Sequence, residues 1–177
     1  MKKILYVVAA VIAILILLGI LAPSGYEVTR TIQINREQEI VYHYLRFLQN
    51  QRHYSVWAKM DPKQEVYFSG IDGEVGFILG WKSEIDSVGS GEQEIKSLQP
   101  FNQIKTEVRF KEPFESVGNS EMNISALDSS STQVNWKFYG TSSFPMNAML
   151  LFMDMDAMLG KDIEKGLSNL KNILETH

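Results

Sequence analysis

The chain has 177 residues, a formal net charge of -4 and no cysteine. The lack of cysteine excludes disulfides, thiol nucleophiles and cysteine-based metal sites, and without a run of basic residues a nucleic-acid partner has no electrostatic footprint. Even without its apolar N-terminal segment, the chain is long enough to form one domain with its own core.

An uncharged apolar run from Ile4 to Ala22 follows Lys2 and Lys3. A helix of about 20 such residues spans a bilayer, and the two lysines favour a cytoplasmic N-terminus with the domain on the extracytoplasmic side, at the inner membrane if the host is bacterial. A cleaved secretory signal is the alternative, although its apolar core measures only about 7–15 residues. We predict a single-pass transmembrane anchor and short linker over residues 1–25, and one domain over residues 26–177.

The first half of the domain begins with a strand and two helices. Residues 27–34 show the two-residue apolar period of a strand. Asn35, with Gln38 three positions later, resembles a capping box and predicts that a helix starts there. A second short helix is predicted over residues 50–56.

Six further strands follow the break at Asp61-Pro62. Most of them are apolar on one face and polar on the other, which is typical of an antiparallel sheet with one wet face. The pattern over residues 91–98 is weak, and that strand is placed mainly by spacing. Turn signals rich in glycine, proline, aspartate and serine separate them into hairpins. The predicted strands are centred on residues 65–68, 75–81, 91–98, 103–110, 121–126 and 133–138.

After Pro145 the apolar period becomes helical and continues to the end of the chain. We predict one long C-terminal helix that begins before Met149. The resulting order, β-α-α-β6-α, predicts an α+β fold in which a curved antiparallel sheet of about seven strands wraps around this helix.

This order and four stretches of sequence resemble the START-like (SRPBCC) superfamily, in its polyketide cyclase/dehydrase and lipid-transfer branch. The resemblance covers residues 26–175 and implies a helix-grip fold with an apolar cavity between sheet and terminal helix. The matching stretches are HYSVWAKMDP (53–62), GIDGEVGFILGW (70–81), VNWKFYG (134–140) and EKGLSNLKNILE (164–175).

The resemblance and the inward strand faces together predict a cavity lining. Aromatic walls suit flat or lipidic ligands, flexible methionines adapt to variable ones, and Arg30 interrupts the apolar face of the first strand, where it could orient a polar head group. For any single aromatic residue, a place in a filled core is the alternative. The predicted lining residues are Arg30, Trp57, Phe77, Trp81, Phe110, Phe114, Trp136, Phe138, Met149 and Met153.

No pattern of catalytic or metal-ligating residues stands out, so we assign no catalytic residue, metal or cofactor. The leading hypothesis is a membrane-tethered domain that binds a hydrophobic small molecule or lipid without chemistry. The alternatives are a cyclase/dehydrase-type enzyme, for which the sequence offers weak acid-base candidates, and a ligand-free module that docks an envelope partner. The sequence identifies no protein partner.

Overall fold

The computed structural model describes residues 2–176, without the side chains of residues 2, 5, 8–12 and 15. The N-terminal helix α1 covers Lys2–Leu21. Among the helices of the described residues, none combines the length and apolarity needed to cross a membrane. The predicted span from Ile4 to Ala22 lies partly outside the described side chains and stays a prediction.

The domain that follows contains seven strands and three α-helices. Short 3-10 helices cover Leu48–Asn50, Trp57–Lys59 and Met146–Leu151. The other elements are β1 (Gly25–Ile34), α2 (Gln38–Leu45), α3 (Gln51–Tyr54), β2 (Glu65–Ser69), β3 (Ile78–Lys82), β4 (Ser90–Gln99), β5 (Gln103–Glu112), β6 (Ser116–Ala126), β7 (Thr132–Thr141) and α4 (Met155–Thr176).

All seven strands form one antiparallel sheet in the order β1-β7-β6-β5-β4-β3-β2. Helix α4 packs along β1 and covers the inner face of the sheet. The predicted order of elements along the chain, β-α-α-β6-α, and the predicted number of strands are thus confirmed. Because neighbouring strands alternate in direction, the start of β1 lies beside the end of β7 and the start of β6. We call this end of the strands the α1 edge, because α1 leads directly into it, and the opposite end of the strands the distal edge. Neither name refers to an outermost strand of the sheet.

Two local predictions about the helices are wrong. Helix α2 begins at Gln38 and has no side-chain cap, and Asn35 instead donates its backbone N–H to Glu175 Oε1 at 2.7 Å. The single helix expected after Pro145 is divided, because the carboxylate of Asp154 accepts the N–H of Ala157 at 2.9 Å and starts α4 there. Met149 therefore belongs to the preceding 3-10 helix.

The main core lies between the inner face of the sheet and helices α2 and α4. Its α4 residues, among them Ile163, Leu167 and Leu170, are almost completely buried. A separate small cluster forms around Leu48, Phe77 and Ile95, near the other end of the strand order. The cavity predicted between the sheet and the terminal helix would therefore be lined by residues of the main core and not by residues of the small cluster.

Candidate functional site

Arg30 connects the first strand to the C-terminal helix. It lies on the inner face of β1, where the sequence places it, and its guanidinium donates to Asp156 Oδ1 at 2.8 Å and to Glu164 Oε1 at 2.6 Å. Gly160 lies between these two carboxylates on α4, and a Cβ there would come within 2.1 Å of Arg30 Nη2. Arg30 also lowers the pKa of Asp156. This Arg30 clamp holds the start of α4 against β1.

Trp136 occupies the centre of the core. It is buried, and its indole Nε1 donates to Ser120 Oγ at 2.9 Å. The rings of Tyr54 and Trp57 meet it edge to face, with centroids 6.0 and 5.9 Å away. Helix α4 passes so close that a Cβ on Gly166 would lie 2.9 Å from Trp136 Cζ3. A hydrogen bond, two aromatic rings and the backbone of α4 therefore hold Trp136 in place.

Toward the α1 edge, the inner wall of the sheet is built from glycines covered by aromatic rings. A Cβ on Gly91 would lie 2.5 Å from Trp81 Cζ2, and a Cβ on Gly118 would lie 2.6 Å from Phe138 Cζ. Gly140 is covered in the same way by Tyr26. At these glycine positions, rings from neighbouring strands therefore occupy the space that a larger side chain would need.

Several of these rings are partly open to solvent. Four half-buried residues, which we call the edge aromatics, pack against the main core while keeping part of their surface exposed. Trp81 and Phe110 pair edge to face at 6.0 Å. The edge aromatics are Tyr26, Trp57, Trp81 and Phe110.

A row of buried polar side chains crosses the inner face in the middle of the sheet. Gln93 Nε2 donates to Thr106 Oγ1 at 2.8 Å, and the Thr106 hydroxyl lies 3.4 Å from the Ser120 carbonyl oxygen. These three residues, the polar band, border a small void of about 10 Å³ together with Tyr54. Burial raises the pKa of the Tyr54 hydroxyl, so it stays protonated. The void has room for about one water molecule and not for an acyl chain.

The sequence analysis did not single out the polar band, although a signal was present. Each of its residues faces inward, and the inward-facing residues two positions before and after it on the same strand are apolar or glycine. One polar residue in such a strand is unremarkable, and only the pairing of β4, β5 and β6 brings the three together.

The predicted lining residues fall into three groups. Trp57, Trp81, Phe110, Trp136 and Phe138 meet in or against the main core, whereas Phe77 is buried in the small cluster. The expectation that Phe114 faces inward is wrong: it lies in the turn between β5 and β6 and is 82% exposed. Met149 is more than half exposed, and Met153 is partly buried. Whether any of these residues touches a ligand stays a prediction.

No protein-family model and no curated protein matches the sequence, but many solved structures share its fold. The Aha1 dimer from Colwellia psychrerythraea is 16% identical, with a TM-score of 0.57 over 85% of this chain and 96% of its own. Norcoclaurine synthase from Thalictrum flavum, in complex with dopamine and hydroxybenzaldehyde, is 8% identical, with a TM-score of 0.65 over 86% and 88%. An uncharacterised protein from Bacillus thuringiensis is 11% identical, with a TM-score of 0.58 over 84% and 98%. The chain therefore shares the helix-grip fold of these solved structures.

Proposed function

We propose that this chain is a membrane-tethered helix-grip domain that binds a hydrophobic small molecule, with a lipid as the leading candidate, at its α1 edge. The observation that carries the proposal is the glycine wall under the edge aromatics. Such rings offer a large apolar surface that is already half accessible, so a ligand can replace ring-to-wall contacts with its own.

The polar band supports a ligand with one polar group. Gln93, Thr106 and Ser120 provide donors and acceptors in an interior that is otherwise apolar. A buried hydroxyl, amide or carboxyl group needs such partners, because burying it without hydrogen bonds costs roughly 1–3 kcal/mol in proteins. We infer that an apolar tail would lie among the edge aromatics while its polar end points to this band.

Binding requires the domain to open, since the void beside the polar band holds about one water molecule. The part best suited to move is the 3-10 helix Trp57–Lys59, which has no fully buried residue and whose Trp57 ring covers Trp136 and Phe138. The Arg30 clamp and the buried stripe of α4 would stay in place, so the opening is confined to the α1 edge.

The tether rests on the uncharged run from Ile4 to Ala22. Four apolar side chains that the structure describes on α1 are more than two-thirds exposed, namely Ile4, Tyr6, Ile20 and Leu21. Burying them in lipid removes that surface from water. The linker to β1 is Ala22 to Ser24, which keeps the α1 edge close to the bilayer.

A second candidate function is a ligand-free module that docks another envelope protein. It is favoured by the small size of the void beside the polar band, because a permanently filled interior would leave only the surface for function. The norcoclaurine synthase structure holds small aromatic molecules, and this favours the ligand-binding candidate for the shared fold.

Native mass spectrometry of the full chain, extracted from membranes in mild detergent, tests the proposal. We expect a population that carries additional mass, and organic extraction of the same sample should release a hydrophobic compound. Trp57→Ala should reduce this population, because Trp57 covers Trp136 and Phe138 at the α1 edge.

Phe68→Ala is the matched control. Phe68 is an exposed aromatic residue on β2 that stacks on Phe77, away from the α1 edge, so its loss should leave ligand occupancy unchanged. An unloaded chain that co-purifies stoichiometrically with another protein would contradict the proposal and support the docking module.

A further inference from the structure

We propose that residues 144–152 form a membrane-contact surface that lies in the bilayer interface beside the end of α1. This surface, which we call segment 144–152, would fix the orientation of the domain so that its α1 edge faces the lipid. The inference rests on the proposed tether, but it does not depend on ligand binding.

Hydrogen bonds fix segment 144–152 to the last turn of α1. The side-chain amide of Asn147 donates to the carbonyl oxygen of Gly19 at 2.7 Å and to that of Ala22 at 3.3 Å. These carbonyls belong to the C-terminal turn, where the helix offers them no partner. Asn147 is itself only 5% exposed. A buried amide therefore caps α1 and sets the distance between helix and segment.

Two further contacts make the joint compact. The Phe144 ring covers Gly19 so closely that a Cβ there would lie 2.6 Å from Phe144 Cδ2. The backbone N–H of Ser142 donates to the Ser24 carbonyl oxygen at 2.9 Å, which joins the end of β7 to the linker. Segment 144–152 is thus held beside α1 by Asn147 and Phe144, and the chain that leads into it is joined to the linker by Ser142.

The depth of the segment follows from the length of α1. A helix of 20 residues measures about 30 Å, which equals the thickness of the hydrocarbon core. If Lys2 and Lys3 stay at the cytoplasmic surface, Gly19 and Ala22 reach the opposite interface. Segment 144–152, which is hydrogen-bonded to both, then lies at the same depth.

The side chains of the segment suit that depth. Five large apolar residues of segment 144–152 are exposed, most of all Phe152 at 78%. An exposed apolar patch of this kind on a soluble domain marks a contact with lipid or protein. The exposed residues are Phe144, Met146, Met149, Leu151 and Phe152.

Continuity with α1 favours lipid over a protein partner as the occupant. Ile20 and Leu21, in the last turn of α1, are both 69% exposed, so the apolar surface continues from the helix into the segment. The residues that follow the segment include the acidic Asp154 and Asp156. Contact with a bilayer should therefore depend on apolar insertion and not on anionic lipids.

The absence of cysteine allows single-site labelling of the full chain. Met149→Cys and Phe152→Cys would each carry an environment-sensitive nitrobenzoxadiazole probe, with the chain reconstituted in phosphatidylcholine vesicles. Leu127→Cys is the matched control, because Leu127 is an apolar residue in the turn at the distal edge and is about as exposed as Met149. Each variant replaces an exposed side chain, so folding should be unaffected.

We expect blue-shifted emission and strong quenching by lipids with a spin label near the head group at positions 149 and 152, with neither effect at position 127. Neither result should change when salt is raised or anionic lipid is added. Resistance of the chain to alkaline extraction reports the tether separately: if the chain is extracted, the tether and this surface both fail. If the chain stays in the vesicles but the probes remain unquenched, or are shielded by a second protein copy, the membrane-contact surface alone is overturned.

Discussion

Two regions of the same inner sheet face differ in how their space is filled. Along β1 and α4, aliphatic side chains and the Arg30 clamp close the interior, and Ile163 and Leu170 have no exposed surface. At the α1 edge, glycines line the wall and half-exposed rings cover them. The first region provides the stability of the fold, and the second is where a change of shape costs least.

The largest expected effect comes from Trp136→Ala in the filled region. The substitution removes a buried ring and its hydrogen bond to Ser120, which should lower the free energy of unfolding by about 3–5 kcal/mol. Trp81→Ala at the α1 edge should cost less than half as much, because Trp81 is partly exposed. Urea denaturation of the two variants measures both values, and equal losses would contradict the contrast between the regions.

Gly160→Ala tests the Arg30 clamp. Alanine favours a helix over glycine by about 1 kcal/mol, yet its Cβ would collide with the guanidinium that two carboxylates hold. We expect a net loss of about 1–3 kcal/mol from this overpacking. Lys161→Ala, at the exposed neighbouring position, should change stability by less than about 0.5 kcal/mol.

A double variant makes the test of the clamp specific. With Arg30→Met in place, most of the loss caused by Gly160→Ala should disappear, because the group that occupies the space is gone. Additive losses in the double variant would show that Gly160 matters for another reason.

The smallest effect is expected on the outer face of the sheet, which is opposite the inner face that contacts the main core. Hydrogen bonds from Lys111 and Tyr67 lower the pKa of Glu92 from 4.5 to about 2. A carboxyl whose pKa is lowered by folding stabilises the folded state at pH values above its pKa in the unfolded chain. This contribution is lost as the pH falls through the pKa of the same group in the folded state. Glu92→Gln should therefore cost up to about 1 kcal/mol at pH 7 and almost nothing near pH 2. A difference that stays constant between these pH values would contradict the assignment.

The order of elements along the chain and the inward faces of the strands could be predicted because alternation along each strand is a local property. Arg30 was correctly placed on the inner face for that reason, since it shares the register of Val28 and Ile32. Its partners could not be predicted, because Asp156 and Glu164 lie more than 100 positions away in the sequence.

The wrong predictions occurred where the chain leaves regular structure. The alternation of β5 does not continue into the turn that carries Phe114, so extrapolating the pattern placed that ring inside. The apolar period after Pro145 looked continuous because Met149 and Met153 fit it, and the cap provided by Asp154 is a single polar residue within that pattern. The polar band depends on pairing between strands, which alternation alone does not determine.

Hydrogen exchange of the full chain in nanodiscs, with and without added oleate, tests the central claim most directly. We predict that the 3-10 helix Trp57–Lys59 exchanges rapidly and is slowed by oleate, while α4 from Ile163 to Leu174 is strongly protected in both samples. Equal protection of both regions, with no response to oleate, would contradict the claim that the α1 edge opens to admit an apolar molecule.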